Sequence, residues 1–244
     1  MIKYGLVFAA LLLPLAAGAQ GEAPMQKVTV VAKKDSEWHS YRHAYSAAAF
    51  FEKFTRTRPL IQAHMQIRPN RRDLPMDGMR IQLEGETGTV DIAVDRIGRA
   101  TIPMLKQSYV EDAVLRLNRL KGHYHFSGRY SIREREDGIY RAADLRAACE
   151  QLLSAQRESG YRLRLIGKKC AGVSFIYALA DSGQEIRFTD ATKRVSVLAA
   201  VDGQPFENDT MGLFKVARFR FADWPAEGVV TTAVRPIAIG TVYE

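Results

Sequence analysis

The sequence predicts an α+β protein, mostly antiparallel β, with two main helices. Three observations carry that prediction. Apolar residues recur at helical spacing in two stretches, ending near Thr55 and near Gln156. Most of the remaining chain alternates apolar and polar residues at period two. Short clusters such as Pro69-Asn70, Asp77-Gly78 and Asp181-Ser182-Gly183 punctuate the alternating runs. The expected layout is an N-terminal helix plus a small β-sandwich over 20–137, then a helix packed on a C-terminal β-meander over 138–244. The polar Glu136-Asp137-Gly138 step marks the boundary.

The chain opens with Met1-Ile2-Lys3, an apolar run from Tyr4 to Leu15, and Ala17-Gly18-Ala19 before Gln20. A charged start, an apolar run and an A-x-A site make a secretory signal peptide over 1–19, too short to span a bilayer. Cleavage is expected between Ala19 and Gln20. The mature protein is then periplasmic or secreted, with no transmembrane segment.

Gln26 to Ala32 reads as a short strand, and Asp35 or Ser36 can cap the first helix. That helix carries a stripe of His39, His43, Ala47, Phe50, Phe51 and Phe54 and ends before Arg58-Pro59. Strands follow at 60–67, 79–84, 89–95, 99–103, 112–118 and 123–135. The last alternates best. His123, His125, Ser127, Arg129, Ser131, Arg133 and Arg135 face one way, and Tyr124, Phe126, Tyr130 and Ile132 the other.

The second helix, Tyr140 to Gln156, turns Leu145, Ala148, Cys149 and Leu152 to one face. Tyr161 to Ile166 then reads as a strand, with Arg162 and Arg164 on one side. Gly172 to Ala178, Glu185 to Thr189, Arg194 to Val201, Leu213 to Phe221 and Val229 to Val242 complete the strands. A helix laid on a hairpin brings Cys149 near Cys170, the chain's only other cysteine. Export favours a disulfide over two buried thiols.

Loss of Lys3 with the leader takes the net charge from +8 to +7. The charge is spread along the chain, without runs of five, and neither a repeat nor a low-complexity tract is visible. A basic exported protein meets anionic lipid headgroups and cell-wall polymers, although the same charge also serves as a solubilising surface. Export and the absence of an RNA-binding aromatic motif argue against nucleic acid.

The run from Gly88 to Arg99 and the segment Lys168-Lys169-Cys170-Ala171-Gly172-Val173 resemble uncharacterised secreted proteobacterial proteins. The resemblance implies a periplasmic protein and no particular activity.

Two chemistries remain open. His39 with His43 on a helix, and His123 with His125 on a strand, each have metal-ligating spacing and together suit a metal-binding protein or metal-dependent hydrolase. Nothing in the sequence brings the two pairs together. No G-x-S-x-G, H-E-x-x-H or P-loop is present, so no catalytic or cofactor-binding residue is assigned. The other chemistry is anion or partner binding by Arg129, Arg133 and Arg135 with Arg162 and Arg164. Guanidinium forks match phosphate and carboxylate oxygens. The function expected is non-catalytic binding of an anionic envelope component or an envelope protein.

Overall fold

The first long helix begins only at Tyr41, because the residues ahead of it are claimed by a sheet. Ser36–Ser40 is a strand (β1), where the sequence suggests the start of the helix. It pairs antiparallel with Val114–Leu120 (β6), setting Trp38 opposite Arg116 and His39 opposite Leu115. Long-range pairing overrides helical periodicity here. Ser40 becomes the N-cap of Tyr41–Thr55 (α1), and its side chain accepts from the His43 amide.

The computed structural model describes residues 35–206 and 210–244. The expected signal peptide, its cleavage site and the strand at Gln26–Ala32 lie outside the described residues. The other elements are strands Ile61–Pro69 (β2), Ile81–Gly85 (β3), Gly88–Ile92 (β4) and Arg99–Ala100 (β5), the short helix Lys106–Val110 (α2), and strand Tyr124–Ile132 (β7). Then come Ile139–Arg141 (β8), helix Ala142–Gln156 (α3), Cys170–Tyr177 (β9), Glu185–Thr189 (β10), Val195–Ala199 (β11), Val201–Gly203 (β12), Phe214–Arg220 (β13), Val229–Thr232 (β14) and Ala238–Tyr243 (β15). The fold is α+β, with two main helices and antiparallel sheets.

The strands form three sheets whose order exposes a duplication. One four-stranded sheet runs β1-β6-β3-β4 and another runs β8-β14-β10-β11. Matching β1 to β8, β3 to β10, β4 to β11 and β6 to β14 makes the two orders the same. The seven-stranded sheet runs β12-β13-β9-β15-β7-β2-β5, so outward from its middle it reads β7-β2-β5 on one side and β15-β9-β13-β12 on the other. The two middle strands are antiparallel and meet at Ile132↔Ile239. Each half therefore has one long helix, one small sheet and part of the large sheet, and the first half adds the short helix α2. No repeat is visible in the sequence because the buried faces of the halves carry different side chains.

Each half is centred on a core, and the second core also takes in Ile61, Tyr130 and Ile132 from the first half. Tyr41 and Ala44 of α1 pack with Met65 and Ile67 of β2 and with Ile81, Leu83, Leu115 and Leu117 of the first small sheet. Leu145, Cys149 and Leu152 of α3 pack with Phe175 and Tyr177 of β9 and with Ile186, Phe188 and Val230 of the second. Strand alternation sends Ile176 to the opposite face of the large sheet, into a third cluster with Ile97, Phe214 and Val216.

On that opposite face Arg99 forms ion pairs within the first half and a hydrogen bond to the second. Arg99 holds Asp95 and Glu134, each at 2.6 Å, and also donates to the Ile237 carbonyl. Asp95 and Gly98 shape the turn ahead of Arg99. A Cβ on Gly98 would lie 2.3 Å from the Ile67 carbonyl oxygen. The run from Gly88 to Arg99 is therefore explained by architecture.

Cys149 and Cys170 are bonded, with Cα atoms 6.0 Å apart. The segment between α3 and β9 departs from the expected strand. Arg157–Tyr161 is a π-helical turn, and Leu163–Leu165 a 3-10 turn. Among the described residues Tyr161 to Ile166 has no strand partner, so its alternation has no sheet to act on. Arg162 and Arg164 therefore sit on a projecting tip, not on a strand face.

Candidate anion-binding cleft and apolar cavity

β7 and β15 pair only at Ile132↔Ile239 and diverge beyond it. The wedge between them is a cleft of about 300 Å³ at the seam of the two halves. Arg68 from β2, Arg129 from β7, and Arg164 and Lys168 from the tip all line it, and no carboxylate does among the described residues. The Arg129 guanidinium lies 3.3 Å from the centre of the Phe206 ring. Arg68 Nε is buried without a hydrogen-bond partner. The wall also carries Tyr243, whose hydroxyl donates to Gln156 at 2.8 Å. Such a cleft suits a small anion or the charged end of a larger molecule.

The expected arginine group is thus divided. Arg129 and Arg164 converge, although they come from different halves. Arg133 does not join them. β7 ends at Ile132, alternation stops there, and Arg133 turns toward α1 while Glu134 reaches Arg99 on the other side. Arg135 pairs with Asp137 at 2.6 Å. The hydrogen bonds from the Arg135 side chain and the Ile139 amide hold the Asp137 carboxyl down at about 2. Arg162 is exposed on the tip.

Arg68 and Lys168 were not among the expected residues. Arg68 follows Gln62, His64 and Gln66 at period two on β2, which is a readable signal. Lys168 stood out in the sequence only as part of the segment Lys168-Lys169-Cys170-Ala171-Gly172-Val173.

A second cavity, about 430 Å³, lies beneath α1. Ala44, Ala47, Ala48 and Phe51 roof it, and Ala63 and Met65 of β2 form its floor. It exists because β5 leaves β2 early. The two pair only at Met65↔Ala100 and Gln66↔Arg99. Pro103, lacking an N–H, cannot continue the ladder. Tyr41 then fixes the departing segment, donating to the Pro103 carbonyl at 2.5 Å and accepting from the Leu105 amide at 2.8 Å. In the other half β13 pairs with β9 from Lys215↔Tyr177 to Arg220↔Gly172, and no such gap opens.

Ser127 and Gly128 border both the cleft and this cavity. Phe51 lies directly on Gly128, where a Cβ would come within 1.9 Å of the ring, and meets Tyr130 edge-on at 5.2 Å. His64 lines the cavity, with Nε2 buried and unpartnered. Burial, then the nearby Arg99 and Arg129 charges, hold its imidazole well below the usual range.

The four histidines weighed as metal ligands are separated. His39 is on β1, not on the helix with His43, and the two rings are 6.1 Å apart. His39 stacks on Phe126, centroids 5.0 Å apart. Alternation along β7 turns His125 to the opposite face, where Nδ1 lies 2.8 Å from Asn70 Oδ1. His123 precedes β7 and bonds Asn70 through its carbonyl. Among the described residues no three His, Cys, Asp or Glu side chains converge as a metal site requires.

No protein-family model, curated protein or solved structure matches the chain. No helix among the described residues is long and apolar enough to cross a membrane.

Proposed function

We propose that this chain is a non-catalytic binding protein of the cell envelope that takes the anionic group of an envelope component into the cleft between β7 and β15. The observation that carries this reading is the convergence of Arg68, Arg129, Arg164 and Lys168 on one cleft. Arg68, Arg164 and Lys168 are like charges that repel one another, and an anion held between them relieves that repulsion. Export to the periplasm is part of the proposal. It is supported by the charged start, the apolar run and Ala17-Gly18-Ala19, and by a disulfide that an oxidising compartment maintains.

The test is calorimetric titration with glycerol phosphate. Wild type is expected to bind, more weakly as salt is raised. Arg164→Ser with Lys168→Ser, two tip residues whose loss leaves the cores untouched, is expected to weaken binding at least tenfold. Arg135→Ser, away from the cleft, is expected to leave it unchanged. Equal binding by wild type and the double variant would remove the cleft from the reading. For export, mass spectrometry of the natively expressed protein should find a mature terminus at Gln20, and an intact Met1 would overturn it.

A further inference from the structure

The two halves differ most in the link from helix to large sheet. In the first half residues 56–60 suffice, whereas in the second residues 157–169 are used. The longer link builds the tip. It carries Leu163 and Ile166, 83% and 72% exposed, the two most exposed large apolar side chains among the described residues. Around them stand Arg162, Arg164, Lys168 and Lys169. No acidic residue occurs from Ser159 to Ala180. Glu158, just before, is held by Arg58 at 2.5 Å, and Glu244 meets Lys169 through backbone hydrogen bonds. None of the four cations forms an ion pair among the described residues.

Side chains of this size are not left in water by local geometry alone, since the tip is well tied down. The Arg157 guanidinium donates to the Leu165 and Lys168 carbonyls, and the disulfide clamps the base of the tip to α3. The tip is thus a fixed projection with two apolar side chains inside a basic ring. Apolar side chains that enter the acyl boundary, with cations at headgroup level, are the attributes of a surface that sits on an anionic bilayer.

We infer that residues 161–169 dock the protein on an anionic phospholipid surface. The inference deepens the proposed function, on which it rests, because Arg164 and Lys168 belong to both the tip and the cleft. A headgroup at the bilayer surface would therefore meet the cleft without leaving the membrane plane.

The experiment is co-sedimentation with vesicles of phosphatidylglycerol and phosphatidylcholine, against vesicles of phosphatidylcholine alone, with wild type and Leu163→Ser/Ile166→Ser. Wild type is expected to partition onto the anionic vesicles at least tenfold better than onto the neutral ones. The double variant is expected to lose at least tenfold of that partitioning while binding glycerol phosphate as wild type does. Equal partitioning by the two proteins, or none by wild type, overturns the docking inference, and glycerol phosphate binding then reports separately on the cleft. Concentration-dependent dimerisation without vesicles, abolished by Leu163→Ser/Ile166→Ser, would assign the tip to a second copy of the chain and also overturn it.

Discussion

The helices α1 and α3 occupy equivalent places, have 15 residues each and follow equivalent strands, yet α3 covers a packed core and α1 packs on its core at Tyr41 and Ala44 while also roofing a cavity. Counted from their first residues, Ala44 matches Leu145, Ala48 matches Cys149, and Phe51 matches Leu152. In α3 these residues are at most 2% exposed, and a disulfide fixes the helix to β9. In α1 two of them are alanines, Phe51 is half-buried, and about 430 Å³ lies below. One architecture therefore serves two ends. The second half supplies rigidity and carries the tip, whereas the first keeps room beside the cleft.

The comparison can be broken most directly at Phe51 and Leu152. Leu152→Ala is expected to destabilise by about 2–5 kcal/mol, the range for a fully buried leucine. Phe51→Ala should cost clearly less than a buried phenylalanine, because its ring already borders empty space. Urea unfolding of both variants checks this, and a larger loss for Phe51→Ala would contradict the packing difference.

Removing the staple comes next. Cys149→Ala with Cys170→Ala is expected to lose about 3 kcal/mol on the loop-entropy account of a disulfide. It should also loosen the tip, read as faster proteolysis between Arg157 and Lys169. Unchanged proteolysis would mean that Arg157 alone holds that segment.

Enlarging the same helix position in each half sharpens the contrast. Ala148→Leu should destabilise by about 1–3 kcal/mol through overpacking. Ala47→Leu, its match in α1, points into the cavity and is expected to change stability by less than about 1 kcal/mol, since leucine and alanine are both good helix formers. Equal losses would show that the cavity closes in solution.

The smallest effect is pH-dependent. The folded-state pKa of His64 is lowered well below 6.5, so the unfolded chain takes up the proton first as pH falls. Stability should therefore decline as pH drops below 6.5 toward the folded-state value, and His64→Gln should show a shallower decline. Parallel thermal unfolding profiles for the two proteins across that window would remove His64 as the cause.

Much of this molecule follows from local pattern. Period-two alternation located most strands, since a strand with one buried face must alternate, although β1 and β8 fell inside expected helices and Val229 to Val242 is two strands, β14 and β15, of different sheets. Helical spacing located α3 and its buried face. With only two cysteines, pairing had one possible partner, and the inward turn of Cys149 pointed to it.

What the tertiary structure decided depends on contacts between residues far apart in sequence. Ser36–Ser40 is a strand because β6 pairs with it, although its apolar spacing suits a helix. Tyr161 to Ile166 alternates like a strand but joins no sheet among the described residues, so Leu163 and Ile166 stay exposed on the tip. Arg129 belongs with Arg68 and Arg164, not with Arg133 and Arg135, because β7 ends at Ile132 and then splays from β15. The duplication was hidden because each half filled its core with different side chains. Periodicity reports which face of an element is buried. Which elements meet is fixed by long-range pairing, such as Ile132 with Ile239, and that pairing built the cleft.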